Sequence, residues 1–325
     1  MIKKIIEISQ AKTYLAVRNK QLVIRQTTAE GPSTSSGQGG CSTQESKIPC
    51  EDVGVLIVDH VGTTYTHSVF AELLKNGAAI VLCGGNHHPA GMLLPIEGNT
   101  LQSERFREQI EAKEPVKKRL WQQIIRAKIR HQAKLSGKDS DTYKALMALR
   151  EEVRSGDPDN IEAQASKKFW AVYLPQMDST HSTSSGQAGS PQGFRRDIGG
   201  APPNNMLNYG YMVMRAAVAR ALCSAGLLPC IGVHHHNRYN AFCLADDVVE
   251  PFRGFVEAKV RDICLSDGVP EELTQEIKAK LLEVLYQDVT IAGFSGPLMV
   301  GLHRTAASLQ KCFAEEQKEL ELPEI

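Results

Sequence analysis

The sequence predicts an α+β protein, with a small N-terminal β-rich domain followed by a larger all-α C-terminal domain. Before residue 85 the apolar residues come in short runs rich in β-branched side chains, which is typical of strands. From Leu101 onward they recur at helical intervals instead. We therefore expect the first domain at residues 1–85, a linker at 86–100 and the helical domain at 101–325.

The first domain is expected to combine several strands with a helix. The predicted strands are Ile2–Ile8, Tyr14–Val17, Leu22–Ile24, Val53–Val58 and Ala78–Leu82. The polar triplet Arg18-Asn19-Lys20 is a plausible tight turn between the second and third of them. A helix is predicted from Ser68 to Lys75, where Asn76-Gly77 follows it.

Two low-complexity stretches interrupt this pattern. The string Ser33-Thr-Ser-Ser-Gly-Gln38 recurs without change at residues 182–187, although the flanking sequences are unrelated. Such Gly/Ser-rich segments bury too little apolar surface to offset their ordering entropy. We interpret them as related flexible insertions, at about residues 31–48 and 178–200. Independent drift toward the same linker composition is the alternative.

The C-terminal part is expected to form a helical bundle. Its predicted helices are Leu101–Leu135 with an interruption at Pro115, Asp141–Arg154, one beginning at Asp157, Asn204–Ala225, Pro270–Leu285 and Pro297–Glu319. Asp157 is a good N-cap, and Pro158 suits the first helical position. The segment from Asn204 is nearly uncharged, which favours a central place in the bundle.

Composition excludes several functional classes. The 325 residues carry a formal net charge of zero, which argues against a uniformly basic nucleic-acid coat but not against a local basic groove. The eight cysteines contain no Cys-x-x-Cys pair, so a structural zinc knuckle is not expected. The sequence lacks an apolar run long enough to cross a bilayer and lacks a secretory signal pattern at Met1, so we expect a cytoplasmic protein.

The stretch from Gly232 to Arg253 carries the chemistry. Three adjacent histidines begin at His234, and the acids Asp247 and Glu250 are spaced to share one helical face. Carboxylates with an imidazole suit Mg²⁺ or Mn²⁺. A further ligand must come from elsewhere, and Glu162 is a candidate because it lies among small and apolar residues. The residues alone leave open which histidine takes part and whether Glu162 is merely structural.

A basic stretch precedes this region. It contains Lys117, Lys118, Arg119, Arg126, Lys128, Arg130 and Lys134. It forms either a solvated helix face or a surface that contacts phosphates. Neither a Gly-x-Ser-x-Gly elbow nor a glycine-rich nucleotide-binding loop is present. Metal-assisted chemistry on phosphodiesters is therefore the reaction class that these residues favour.

Long motifs resemble one known family. Residues 232–253, the segment Asn204-Asn-Met-Leu-Asn-Tyr-Gly-Tyr211 and the segment Asp157-Pro-Asp-Asn-Ile-Glu-Ala-Gln-Ala165 resemble the universal CRISPR-associated endonuclease, the integrase of spacer acquisition. The histidine run is similar to that of type II systems. The resemblance covers the chain in the expected order, apart from the two insertions.

The resemblance implies a catalytic site and a reaction. The implied ligands of Mg²⁺ or Mn²⁺ are Glu162, His235 and Glu250, with Asp247 as an accessory acid. The helical domain would then be the catalytic domain of a metal-dependent DNA endonuclease. It would join the 3′-hydroxyl of prespacer DNA to a phosphodiester at the leader–repeat junction of a CRISPR array, in antiviral defence. A catalytically silent DNA-organising scaffold and a helical metallo-phosphohydrolase are the alternatives.

The resemblance also implies partners. They are double-stranded and branched DNA, a second copy of the chain in a homodimer, and the small second CRISPR-associated protein of the adaptation complex. The type II likeness adds the effector nuclease as a candidate, and a membrane partner is not expected. The candidate phosphate contacts are Arg238, Arg253, Lys117, Lys118 and Arg119.

Overall fold

The computed structural model describes residues 3–10, 12–29, 41–85, 89–174, 194–197 and 199–324. The chain divides into two compact units. The N-terminal unit comprises Met1–Phe106 and Ala216–Leu227, and the C-terminal unit comprises Arg107–Arg215 and Leu228–Ile325. N-terminal strands and C-terminal helices agree with the predicted α+β class. The predicted domain limits and the linker at 86–100 stay predictions.

The N-terminal unit contains two four-stranded sheets. The strands are β1 (Lys4–Ile8), β2 (Thr13–Arg18), β3 (Gln21–Ala29), β4 (Cys41–Pro49), β5 (Val53–Val58), β6 (Thr64–Tyr65), β7 (Ala79–Cys83) and β8 (Pro89–Leu93), with helix α1 at His67–Lys75. One sheet has the order β1-β5-β7-β8 and the other β4-β3-β2-β6. Apolar residues of both, among them Ile8, Leu15, Leu22, Leu56 and Ile80, join in one buried cluster.

The predicted turn between β2 and β3 is confirmed. Asn19 and Lys20 both have positive φ angles, of 51° and 59°. A two-residue turn with both φ angles positive matches the twist of the strands that it joins. Arg18 consequently pairs with Gln21, and this register runs back to Thr13 opposite Gln26.

Part of the first predicted insertion is a strand. Residues 30–40 lie outside the described residues, but 41–49 form β4, which pairs antiparallel with β3 from Cys41 opposite Ala29 to Pro49 opposite Gln21. The prediction of a flexible segment is therefore wrong for residues 41–48. Main-chain hydrogen bonds to β3 and the Arg25–Glu45 ion pair at 2.7 Å stabilise this polar strand. The composition of the strand reveals neither of these interactions.

The C-terminal unit is built around a long helix. The remaining helices of the chain are α2 (Gln102–Glu111), α3 (Glu114–Leu135), α4 (Asp141–Glu152), α5 (Ile161–Val172), α6 (Asn204–Ser224), α7 (Cys243–Val249), α8 (Arg253–Asp267), α9 (Gln275–Leu282) and α10 (Leu298–Phe313). Short 3-10 turns at Glu250–Phe252 and Glu283–Tyr286 follow α7 and α9. Helix α3 starts with Pro115 in its first turn, where the predicted interruption fell. Its buried face includes Leu120, Ile124 and Ile129.

The C-terminal region was predicted to be entirely helical, but it also contains a small sheet. Strands β9 (Asp288–Ile291), β10 (Phe294–Pro297) and β11 (Pro323–Glu324) form a sheet in the order β10-β9-β11. Helix α10 packs closely on this sheet, since a Cβ at Gly301 would lie 2.8 Å from Ile291 and 2.9 Å from Val289. These strands are too short to give a clear alternating pattern, so the sequence favoured helices.

Two other local predictions need correction. Helix α5 begins at Ile161 rather than at Pro158, because Asp157 and Asn160 both adopt positive φ angles, of 48° and 52°. At the second predicted insertion, residues 175–193 and 198 lie outside the described residues. Phe194, however, packs against Tyr173 with ring centroids 5.5 Å apart, so the end of that segment belongs to the packed fold.

Among the described residues, no helix is long and apolar enough to span a membrane.

Candidate active site

Three segments of the C-terminal unit bring a lysine and two glutamates together. Lys128 lies on α3, Glu162 in the first turn of α5 and Glu250 at the start of the 3-10 turn that follows α7. The Lys128 ammonium forms an ion pair with Glu162 Oε1 and another, at 2.5 Å, with Glu250 Oε2. The structure therefore brings the two predicted acids to one cation, although 88 positions separate them in sequence.

Asp157 fixes the start of α5 and so the place of Glu162. Its Oδ1 accepts a hydrogen bond from the Ile161 amide at 2.9 Å, and its Oδ2 accepts one from the Glu162 amide at 3.0 Å. These amides belong to the first turn, which has no intrahelical partner for them. Asp157 is a capping residue as predicted, but it acts from four and five positions upstream rather than from the N-cap position.

Glu250 is a buried, ionised carboxylate. Its Oε1 accepts a hydrogen bond from Arg253 Nε at 2.9 Å, while its Oε2 faces Lys128. Burial raises the pKa of this carboxyl, but the charges of Arg253 and Lys128 outweigh burial and lower its pKa to about 2.

Lys128 remains charged despite its burial. The side chain belongs to a residue that is only 9% exposed. Burial lowers the pKa of this ammonium, yet the charges of Glu250 and Glu162 raise it above its ordinary value. A buried ammonium keeps its charge when acidic side chains pair with it, and Glu162 and Glu250 both pair with Lys128.

Asp247 organises the histidine loop. Its carboxylate, which is fully buried, accepts hydrogen bonds from the amides of Val233 at 2.7 Å, His234 at 3.0 Å and His235 at 3.3 Å. It also contacts His235 Nδ1 at 2.5 Å. Gly232 permits this wrap, since a Cβ there would lie 2.4 Å from the His235 carbonyl oxygen and 2.8 Å from Asp247 Oδ2.

The adjacent histidines have different surroundings. The His234 ring stacks on Trp121 with centroids 4.1 Å apart, so it packs against α3. The His235 ring lies nearly perpendicular to the same indole, with ring centroids 5.6 Å apart. The hydrogen bond to Asp247 raises the pKa of His235 against the effect of burial, and Glu250 adds to the rise. His235 therefore lies within electrostatic reach of Glu250, with Nδ1 bonded to Asp247 and Nε2 left as the nitrogen that can coordinate a ligand.

A buried polar cluster lies behind Glu250. The Arg253 guanidinium lies over the Tyr211 ring at 4.5 Å, and Tyr211 donates its hydroxyl to Glu257 Oε1 at 2.8 Å. Tyr173 donates to the Glu257 carbonyl oxygen at 2.7 Å. Burial raises the pKa of the Glu257 carboxyl, although the Tyr211 hydrogen bond opposes the rise. This cluster holds Arg253, and through it Glu250, in place.

The candidate phosphate contacts occupy different environments. Arg253 is engaged inside the unit with Glu250 and Tyr211. Arg238 is exposed, donates to the Tyr239 hydroxyl at 2.6 Å and lines a cavity of about 480 Å³ beside His235. Lys118 is exposed, whereas Lys117 and Arg119 are half-buried. The role of each in DNA binding stays a prediction.

Sequence reasoning missed Lys128 as part of the site. It was grouped with the basic residues of its stretch, yet it follows Ile124 by four positions and Ile125 by three, on the buried face of α3. A lysine in the register of an apolar stripe is a signal of a buried partner, and the sequence shows it. The sequence does not show that Glu162 and Glu250 are its partners, because they lie on segments far from Lys128 along the chain.

The donor set fits a divalent metal in its chemistry. Two carboxylates and an imidazole whose other nitrogen is held by an acid are suitable ligands for Mg²⁺ or Mn²⁺. The arrangement, however, has Lys128 between the two acids. Within the described ranges, no three His, Cys, Asp or Glu side chains are grouped so as to hold a metal ion.

The sequence profile of one family, CRISPR associated protein Cas1, matches residues 6–272. A relative from Neisseria meningitidis serogroup C (strain 8013), named CRISPR-associated endonuclease Cas1, is 32% identical over 281 residues. That match spans 86% of this chain and 87% of the relative.

This chain belongs to the Cas1 family. A Cas1 relative from Pyrobaculum aerophilum is 24% identical over 82% of this chain and 89% of its own length. Solved structures share the Cas1 fold. A casposase bound to an integration product has a TM-score of 0.74 at 20% identity, over 98% of this chain and 92% of that chain. A Cas1 protein from Thermotoga maritima has a TM-score of 0.66 at 15% identity, over 97% and 98%.

Proposed function

We propose that this Cas1-family protein is a metal-dependent DNA endonuclease and integrase. It inserts prespacer DNA into a CRISPR array through attack of a 3′-hydroxyl on a phosphodiester at the leader–repeat junction. The observation that carries the proposal is the convergence of Glu162 and Glu250 on Lys128, beside a histidine loop that Asp247 holds. Acids gathered around one buried cation, here the buried Glu250 and the half-buried Glu162, are typical of catalytic sites.

Glu162, His235 and Glu250 are the residues that would hold Mg²⁺ or Mn²⁺. A divalent cation bound there would offset the negative charge of the phosphate and of the leaving oxygen. Glu250 is ionised at all pH values of interest because its pKa is about 2, so it needs no proton loss to act as a ligand. Asp247 fixes the tautomer of His235 by engaging Nδ1, which keeps Nε2 available.

The exposed side of the site suits a phosphate backbone. Arg238 and Asn237 line the cavity beside His235, and Arg238 is solvent-exposed. Guanidinium groups pair with phosphates in two-pronged geometry. We assign Arg238 to phosphate contact, with Lys117 and Lys118 as more distant contacts. Arg253 is assigned instead to holding Glu250, because its Nε donates to Glu250 Oε1 and its guanidinium lies over the Tyr211 ring.

We propose the partners by analogy with Cas1-containing assemblies. One structural relative of this chain is part of a Cas6-RT-Cas1–Cas2 complex, with a TM-score of 0.69 over 98% of this chain and 35% of that one. The casposase relative was solved with an integration product. We accordingly expect a homodimer that binds branched DNA together with a small Cas2-type protein. The type II effector nuclease is a further candidate partner.

Strand transfer with point variants tests the proposal. Purified protein with Mn²⁺ and a leader–repeat DNA should join a prespacer strand to the junction. Glu162→Gln, His235→Ala and Glu250→Gln should each reduce joining by more than about 100-fold, because each removes a ligand charge or donor. Glu272→Gln, which changes an exposed glutamate of the same unit, is the control. Wild-type joining by a correctly folded Glu250→Gln protein would remove the assignment.

A further inference from the structure

Lys128 occupies the position between the two acids to which the metal is assigned. It is a buried lysine on a helix face formed by Ile124, Ile125 and Ile129, and its ammonium is the group that Glu162 and Glu250 share. Glu162 Oε1 also accepts a hydrogen bond from Ser166 at 3.2 Å, and Glu250 Oε1 is bonded to Arg253. The oxygens that face the centre of the site are therefore in contact with Lys128.

The charges around Lys128 are already balanced without a metal ion. The acids Glu162 and Glu250 carry two negative charges, and Lys128 and Arg253 carry two positive charges, so the group is neutral as it stands. A divalent cation would add two positive charges at the same oxygens. Two cations within a few ångströms repel strongly where burial lowers the effective dielectric constant. Lys128 and the metal cannot occupy the contact with Glu250 Oε2 together.

We propose that Lys128 is an internal counter-ion that holds Glu162 and Glu250 together in the metal-free protein and competes with the divalent cation for their oxygens. This inference rests on the proposed metal site. Binding of the metal requires the Lys128 ammonium to leave the carboxylates. In the metal-free protein Lys128 offsets the repulsion between the buried Glu250 and the half-buried Glu162. Lys128 is thus a positioning residue that weakens metal binding in exchange for an ordered empty site.

The substitution Lys128→Met removes the competitor while keeping an unbranched side chain of similar reach. Mn²⁺ should bind this variant at least about 10-fold more tightly than wild type, in the range by which neighbours of a ligand change metal affinity. In EDTA the same variant should have a lower Tm than wild type, because Glu162 and Glu250 lose their shared cation. Mn²⁺ should raise its Tm by more than it raises that of wild type.

Lys128→Arg is the second variant, and it keeps the charge. A guanidinium grips carboxylates through two parallel hydrogen bonds, so this variant should bind Mn²⁺ more weakly than wild type while staying folded in EDTA. Lys134→Met is the matched control, since Lys134 is an exposed lysine on the same helix. Its Mn²⁺ affinity should equal that of wild type. Titration calorimetry and the electron paramagnetic resonance signal of free Mn²⁺ measure binding without DNA and without turnover.

The outcomes separate the inference from the proposed function. Equal Mn²⁺ affinity of wild type and Lys128→Met, or weaker binding by that variant, overturns the inference alone. If Lys128→Met does not fold, Lys128→Arg decides, and affinity equal to or above that of wild type overturns the inference. If wild type and both variants all fail to bind Mn²⁺, the metal dependence of the proposed function fails and the inference fails with it.

Discussion

Replacing Asp247 with alanine should release the histidine loop. The carboxylate accepts from the amides of Val233, His234 and His235 and holds His235 Nδ1. A buried amide left without an acceptor costs roughly 1–3 kcal/mol, and water reaches the half-buried amides of His234 and His235 at lower cost. We therefore expect Asp247→Ala to reduce the free energy of unfolding by about 3 kcal/mol.

Asp247→Asn is the informative companion variant. Its amide oxygen can take the place of Oδ2 and accept from Val233 and His234, so the loss of stability should be only about 1 kcal/mol. Its NH₂ group then faces His235 Nδ1 and donates to it, which moves the imidazole proton to Nε2. That tautomer cannot coordinate a metal through Nε2, so this variant should stay folded and lose strand transfer.

Urea unfolding followed by circular dichroism measures the stability of both variants. Hydrogen exchange of the amides at 233–235 reports on the loop itself, and these amides should exchange much faster in Asp247→Ala than in wild type. Wild-type protection of those amides in Asp247→Ala, together with an unchanged free energy of unfolding, would refute the reasoning. Wild-type strand transfer by Asp247→Asn would refute the tautomer argument separately.

Three other perturbations test the fold that supports the site. Burial lowers the pKa of His131 to about 4, so between pH 6.5 and 4 the unfolded chain binds more protons than the folded chain, and stability falls as pH falls. Relative to the His131→Leu variant, wild type should lose up to about 3 kcal/mol of unfolding free energy across that window. A difference between the two proteins that is constant with pH would contradict this. Gly254→Ala places a Cβ 2.2 Å from His131 Cγ and should reduce the free energy of unfolding in urea by about 1–3 kcal/mol. Gly91→Ala, whose Cβ meets nothing within 4 Å, is the control and should leave the free energy of unfolding unchanged. Equal effects of the two substitutions would contradict the packing argument. Deleting residues 33–46 removes most of β4 and should lower Tm by several degrees in a calorimetric scan, whereas an unchanged Tm would support the earlier loop interpretation.

The N-terminal elements were predictable where local chemistry decides them. The triplet Arg18-Asn19-Lys20 tolerates positive φ angles and lies between β-branched runs, so it marked the hairpin correctly. Strand β4 was not predictable, because Ser, Thr, Gln and Glu at 42–45 give no apolar alternation. β4 forms because it pairs with β3, and the composition of β4 alone does not indicate that pairing.

The chain after residue 100 shows the same division. Pro115 and Gly226 mark helix boundaries by their own backbone preferences, with Gly226 at a φ of 77° after α6. The start of α5 was misplaced because Asp157 caps it across an intervening turn rather than directly. In the sheet of β9, β10 and β11, the first two strands are joined by Ala292 and Gly293, whereas β11 comes from a distant part of the sequence. Each strand alone has too few residues to be recognised.

The sequence by itself determined the family, the α+β order and the residue types of the site, because motifs and periodicity are local properties. It singled out Glu162, His235, Asp247 and Glu250 without bringing them together. Only the tertiary structure decided that Asp247 belongs to the histidine loop and Glu250 to Lys128. The reason is physical. A charge buried on α3 selects its partners by distance and desolvation, and both are properties of the packed chain rather than of spacing along it.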